Sequence, residues 1–217
     1  MQFKPVTQEF IQRAHKRSFQ ARHNILHPGD SPKSLFLILE GSVSVLLEDE
    51  QGREIVLAYL DPGAFFGEMC LFPEQRARTA IVRSREPTLV AEVTYDSFRG
   101  LVREHPDIMF EIAEQLALRL RDTSQRLGDL AFLDVAGRVA HILLNLCSKR
   151  GAESHPRGVI VKISRQELAR NAGCSREMAG RVLKRLEEDG MVQVEGRSIT
   201  IIGRGKTQRL LLFRAGH

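Results

Sequence analysis

The hydrophobic pattern changes period near residue 107, and this change constrains the fold more than any other feature of the chain. Upstream, short apolar runs at 34–39, 43–47, 55–60 and 88–93 are separated by turn chemistry: Pro28-Gly29-Asp30, Glu40-Gly41, Glu50-Gln51-Gly52-Arg53 and Asp61-Pro62-Gly63. Gly accepts positive φ and Pro presets a turn, so the runs read as strands. Val43, Val45 and Leu47 share one face, as do Ile55, Leu57 and Tyr59. The two runs are therefore expected to pair as a hairpin that buries this side. Downstream, from about 107 to 132, a helical pattern without proline is interrupted only by Gly128, and as one helix it would span roughly 40 Å. A small antiparallel roll or barrel followed by a long helix is expected.

Within that helix Met109, Ala113, Leu116, Leu120, Thr123, Leu127 and Leu130 recur at alternating spacings of four and three, the seam of a two-stranded coiled coil. The helix is longer than a small roll can cover, so the seam implies a homodimer rather than a stripe packed only on the roll. Thr123 puts a hydroxyl into the apolar seam, beside Ser124. A polar step there costs packing and so points to a task.

The 217 residues allow one large domain or two modest ones, and 42% hydrophobic with 27% charged residues is a globular composition. No apolar run reaches the roughly 18 residues of a bilayer span. The first twenty residues lack the apolar core of a secretory signal, which predicts a cytoplasmic protein. Cys70, Cys147 and Cys174 are far apart and lack C-x-x-C spacing, against a disulfide framework or a metal site, and read as small buried side chains. Charge is uneven: of 32 basic and 27 acidic residues, positions 1–130 hold 16 and 19 (−3) and positions 131–217 hold 16 and 8 (+8). The basic rear portion is the candidate for a polyanion. No G-x-S-x-G, H-E-x-x-H or G-x-x-x-x-G-K-[ST] is present, and the seven histidines show no ligand spacing, so no enzyme is expected.

That portion opens with an amphipathic stretch, 132–147, and then carries SRQELARNAGCSREMAGRVLKRLEEDG from 164 to 190. Ser164 and Glu167 form a capping box, Gly173 ends the first helix and Ser175 can cap a second. Leu168, Ala169 and Ala172 permit close helix packing, while Met178, Ala179, Val182 and Leu183 can face inward. Arg176, Glu177 and Arg181 stay on the exposed turns. This is helix-turn-helix patterning, followed by a hairpin at 191–202 fit for a wing. Arg donates twice to guanine and Glu accepts from cytosine, so the exposed face suits sequence-specific DNA reading. Arg165, Lys184 and Arg185 suit phosphates.

In the front portion, FFGEMCLFPEQRARTAIV at 65–82 suits an anion. Gly67 permits close backbone approach and Arg78 offers a forked pair of donors to a phosphate. The carboxylate of Glu68 is better matched to a sugar hydroxyl. Plain surface pairing of Glu68 with an arginine is the competing reading.

With PGD (28–30), FGE (66–68), RTA (78–80), LAFLDV (130–135), HPRG (155–158) and SRQELARNAGCSREMAGRVLKRLE (164–187), the chain resembles the CRP/FNR regulators of bacteria, in the cAMP receptor (catabolite activator) branch. The resemblance runs from about 20 to 203. It implies an α+β protein: a cyclic-nucleotide-binding β-roll, a double-stranded jelly roll, at 1–106, a dimerisation helix at 107–134 and a winged helix-turn-helix at 135–217.

By position it also implies that Gly67, Arg78 and Thr79 hold the cyclic phosphate of cAMP and Glu68 the ribose. Thr123 and the partner subunit's Ser124 would reach the base. Arg176, Glu177 and Arg181 fall on the base-reading positions for TGTGA-like half-sites, and Arg165, Gln166 and Ser175 on or near DNA-contacting ones. Ser154, His155, Pro156 and Gly158 resemble the surface that engages the C-terminal domain of the RNA polymerase α-subunit. Thr79 stands where this branch usually has Ser, which leaves cAMP against cGMP open, and Arg157 replaces an acidic residue common in the polymerase-facing loop. Some relatives with a similar recognition helix answer to cyclic di-GMP, but Glu68, Arg78 and Thr79 together favour a mononucleotide. DNA binding without any ligand is a further reading. The tail, 204–217, extends past the usual family end.

Overall fold

A computed structural model describes residues 3–72, 77–148 and 151–203, and of Cys70 the backbone alone. The chain divides into two units, Met1–Thr123 and Ser124–His217. The first opens with α1 (Pro5–Gln12), β1 (His15–Phe19), β2 (Asn24–Leu26), β3 (Ser34–Glu40), β4 (Val43–Glu48) and β5 (Glu54–Leu60). β6 (Phe65–Phe66), a 3-10 turn (Glu68–Leu71), β7 (Ile81–Ser84), β8 (Thr88–Thr94) and α2 (Tyr95–Glu104) follow. The boundary between the units falls within α3 (Asp107–Phe132).

Two antiparallel four-stranded sheets, ordered β1-β8-β3-β6 and β2-β7-β4-β5, make the roll. β3 shows why its sequence is continuously apolar: it is buried on both faces. Leu35 and Leu37 join Phe10, Phe98, Leu101, Ile108 and Ile112, the cluster formed with α1, α2 and the start of α3. Phe36 and Ile38 join Leu26, Val43, Leu60, Phe66 and Val82 between the sheets. Phe36 and Phe66 stack with ring centroids 4.9 Å apart.

The expected β4–β5 hairpin forms, but the faces differ from the expectation. The register shifts between Val45 and Leu46 and leaves Leu57 of β5 as the extra residue, so Ile55 and Tyr59 fall on opposite faces, while β4 pairs with β7 without a shift. Leu46 opposes Val56 in the interior at 1% exposure, whereas Leu47 and Ile55 oppose one another in the open at 38% and 45%. Sequence reading passed over α1, which starts at a proline, and α2, whose Thr94 Oγ1 accepts from Ser97 N–H.

The seam along α3 divides. Ile108 and Ile112 are buried, and Met109 and Leu116 pack against the same roll cluster, while Leu120, Leu127 and Leu130 are exposed. The stretch at 132–147 is not one helix: α3 ends at Phe132, and α4 (Val135–Cys147) begins after Asp134, whose carboxylate accepts from Gly137 N–H at 2.7 Å. That cap satisfies an otherwise orphaned donor and makes the break.

The second unit continues with β9 (Glu153–His155), β10 (Gly158–Lys162), α5 (Arg165–Ala172), α6 (Arg176–Glu188), β11 (Val192–Glu195) and β12 (Ser198–Ile202). Its sheet runs β11-β12-β10-β9. Val139, Leu143, Leu168, Ala172, Leu183, Leu186 and Ile199 share one core. The tail, 204–217, lies outside the described residues.

Candidate functional site

At the end of β6 the chain turns through Gly67 at φ 83°, ahead of the 3-10 turn. Two constraints demand glycine there. The left-handed backbone disfavours any side chain, and an added Cβ would lie 2.8 Å from Arg78 Nη1 and 3.3 Å from the Ser34 carbonyl. Arg78 is only 6% exposed, and its Nη1 donates to the Gly67 carbonyl and Tyr95 Oη, both at 2.8 Å. Nη2 donates to the Ser34 carbonyl at 2.7 Å. Among the described residues these bonds use three of the five guanidinium N–H groups, so two remain to meet an anion. A buried cation held by neutral acceptors has no local counter-charge in this set, which favours an anionic visitor.

Glu68 is also buried, at 7% exposure, and its Oε1 accepts from Arg119 Nη1 at 3.0 Å. Arg119 further donates to the Phe65 carbonyl and, at 3.3 Å, to Gln115 Oε1. Gln115 receives Phe65 N–H at 2.9 Å and donates to the Gly63 carbonyl at 2.9 Å. Both ends of this amide thus pin the strand that leads into Gly67 to α3. Sequence reading missed Gln115, Arg119 and Tyr95. The signal for the first two was a polar pair one helical turn apart, each immediately before a seam leucine.

Gly67, Glu68 and Arg78 therefore come together. Thr79 is exposed, its Oγ1 3.7 Å from Met69 Sδ. Thr123 lies one turn beyond Arg119 on α3 and is exposed, as is Ser124.

In the second unit Ser164 Oγ accepts from Glu167 N–H to start α5, Gly173 ends it at φ 59°, and Ser175 Oγ accepts from Met178 N–H to start α6. Ala179, Val182, Leu183 and Leu186 face the core. Arg165, Gln166, Ser175, Arg176, Glu177 and Arg181 are all exposed, and Glu177 and Arg181 stand 3.9 Å apart on one face of α6. Arg138, also missed from sequence, donates through Nε to the Ala172 carbonyl at 2.7 Å and through Nη1 to the Leu133 carbonyl at 2.8 Å. It ties the start of α4 to the end of α5.

Ser154 and His155 sit on β9, with Ser154 exposed. A Cβ on Gly158, at the start of β10, would lie 1.8 Å from the Ile201 carbonyl, so packing alone requires this glycine. Among the described residues no group of His, Cys, Asp and Glu could hold a metal ion, and no helix is long and apolar enough to cross a membrane.

Residues 16–105 match the model of the cyclic nucleotide-binding domain and residues 137–209 that of the Crp-like helix-turn-helix domain. The chain belongs to the CRP/FNR family. It is 46% identical to the cAMP-activated global transcriptional regulator Vfr of Pseudomonas aeruginosa, over 90% of this chain and 92% of Vfr. To the cAMP-activated global transcriptional regulator CRP of Salmonella typhimurium it is 42% identical, over 92% of this chain and 95% of that one. Among solved structures, the c-di-GMP responsive global regulator CLP of Xanthomonas campestris superposes with a TM-score of 0.87 at 40% identity, covering 92% of this chain and 99% of CLP. As a CRP/FNR protein the chain is a DNA-binding transcription regulator with a cyclic-nucleotide domain, not an enzyme.

Proposed function

We propose that this chain is a homodimeric, cAMP-responsive regulator that reads palindromic TGTGA-like half-sites and engages the C-terminal domain of the RNA polymerase α-subunit. The observation that carries the ligand reading is the buried Arg78 guanidinium beside Gly67, with two N–H groups left over among the described residues and the buried Glu68 carboxylate close along the chain. Arg78 and Thr79 take the cyclic phosphate, with the backbone at Gly67. Glu68, held by Arg119, accepts from the ribose hydroxyl, and Thr123 with the partner subunit's Ser124 meets the base. Vfr and CRP, both named as cAMP-activated, support this assignment.

The exposed leucines of α3, Leu120, Leu127 and Leu130, support pairing with a second copy. Ligand acts only through differential affinity, binding the arrangement with recognition helices about 34 Å apart better than its alternatives. On α6, Arg176, Glu177 and Arg181 read bases, while Arg165, Gln166 and Ser175 sit where α5 and α6 begin, near the backbone. Ser154, His155 and Gly158 form the polymerase-facing turn.

CLP, described as c-di-GMP responsive, supplies a second reading. Calorimetry of the protein against cAMP, cGMP and cyclic di-GMP, repeated with Arg78→Leu, separates the two. The expected result is cAMP binding that Arg78→Leu abolishes. Cyclic di-GMP binding indifferent to that substitution would replace the assignment. A mobility-shift titration at fixed salt should show nucleotide-dependent operator affinity, and equal affinity without nucleotide would remove the switch.

A further inference from the structure

Tyr95 opens α2 and is largely buried, its ring packed in the cluster with Phe10, Phe98 and Ile108. Its backbone N–H donates to the Lys33 carbonyl at 3.0 Å, and the preceding Thr94 caps the helix. The phenol is therefore anchored at both ends. Its Oη donates to the Gly67 carbonyl at 2.7 Å and accepts from Arg78 Nη1 at 2.8 Å, and the guanidinium carbon lies 5.8 Å from the ring centroid.

We propose that Tyr95 is a positioning residue for nucleotide binding, one that sets two ligand-facing groups with a single hydroxyl. The first is the guanidinium of Arg78. Arginine carries many rotamers, and a rigid phenol that accepts from Nη1 holds the fork in one of them before the anion arrives. The second is the Gly67–Glu68 peptide. A trans peptide points its C=O and N–H to opposite sides, so turning the Gly67 carbonyl onto the phenol turns the Glu68 N–H away from it. Gly67, at φ 83°, has the backbone freedom that would otherwise let this plane rotate. The inference rests on the nucleotide-binding reading above.

The test uses the full chain and Tyr95→Phe, which keeps the ring. The Gly67 carbonyl retains Arg78 as a donor, so the variant is expected to melt close to the parent. Its cAMP affinity is expected to fall about 10-fold, the weight of one hydrogen bond to a charged group. The two phosphorothioate diastereomers of cAMP provide a readout that a packing role would not move. Tyr95→Phe should change the ratio of their affinities, whereas general loosening would weaken both alike and overturn the proposal. If the parent binds neither cAMP nor cGMP, the nucleotide reading fails and takes the proposal with it. If the parent binds and Tyr95→Phe binds equally well, only the positioning role fails.

Should Tyr95→Phe not fold, the native phenol can report instead. The chain has two tyrosines, so 3-fluorotyrosine in a Tyr59→Phe background labels position 95 alone. Its fluorine resonance is expected to shift when cAMP arrives at the guanidinium it contacts. An unchanged resonance at saturating cAMP would overturn the assignment.

Discussion

His141 on α4 places its Nδ1 against the carboxylate of Asp129 on α3, across the break at Leu133 and Asp134, with both side chains largely buried. Gln125 Nε2 bonds the other Asp129 oxygen at 3.1 Å. The pair joins two helices that the backbone separates, and neither partner can be removed without leaving the other short of a hydrogen bond. Asp129→Ala and His141→Ala are each expected to destabilise the protein by about 1–3 kcal/mol. The double variant should cost clearly less than the sum, and thermal or urea denaturation of the four proteins would measure it. Additive losses would mean the contact contributes nothing of its own.

Two adjacent leucines of β4 have opposite environments, Leu46 at 1% exposure and Leu47 at 38%. Leu46→Ala empties a core position and is expected to cost about 2–4 kcal/mol, while Leu47→Ala, at a partly exposed position, should cost less than about 1 kcal/mol. Chemical denaturation of the two variants decides the matter. A larger loss at Leu47 than at Leu46 would reverse the burial assigned to the two leucines.

Arg119 neutralises the buried Glu68 carboxylate. Arg119→Ala should therefore lower stability by about 2–3 kcal/mol and weaken nucleotide binding, and Glu68→Gln should remove most of the stability penalty of Arg119→Ala. A denaturation cycle over the two positions, run beside calorimetry, tests both parts. A stability loss that persists unchanged with Glu68→Gln would show that Arg119 acts through Phe65 and Gln115 instead.

Gly67→Ala is the most direct probe of the anion site proposed beside Arg78. The new methyl group would press on Arg78 Nη1 in a backbone conformation that costs a non-glycine residue about 1 kcal/mol. Nucleotide affinity should fall at least 10-fold, more than that strain accounts for alone. An unaltered affinity would place the anion elsewhere.

Burial pushes the thiols of Cys147 and Cys174 above the usual thiol value of 9.0, and at Cys174 the nearby charge of Arg138 works against the rise. The folded state thus holds protons that the unfolded chain releases near pH 9. This contribution to stability is complete below that pH and declines as pH rises toward the folded values. In a Cys70→Ser background, iodoacetamide should alkylate both thiols more slowly than free cysteine at pH 8, with a rate profile displaced to higher pH. Rates equal to those of free cysteine would contradict the burial.

Much of this molecule is written in local pattern. Turn residues delimit β3, β4, β5 and β8, Ser164, Gly173 and Ser175 bound the helix-turn-helix, and the absence of proline from 107 to 132 yields α3. These features depend on backbone preferences within a few residues, so the chain alone determines them. Tertiary structure decided which neighbours those side chains find. It turned Leu46 inward and Leu47 outward, divided the α3 seam between the roll and the open surface, and closed His141 on Asp129. It also brought Tyr95, Gln115 and Arg119 to Gly67, Phe65 and Glu68 from 28, 50 and 51 positions away. Periodicity records which face of an element is apolar, but a hydrogen bond or ion pair between distant segments leaves no period and exists only once packing removes water from both partners.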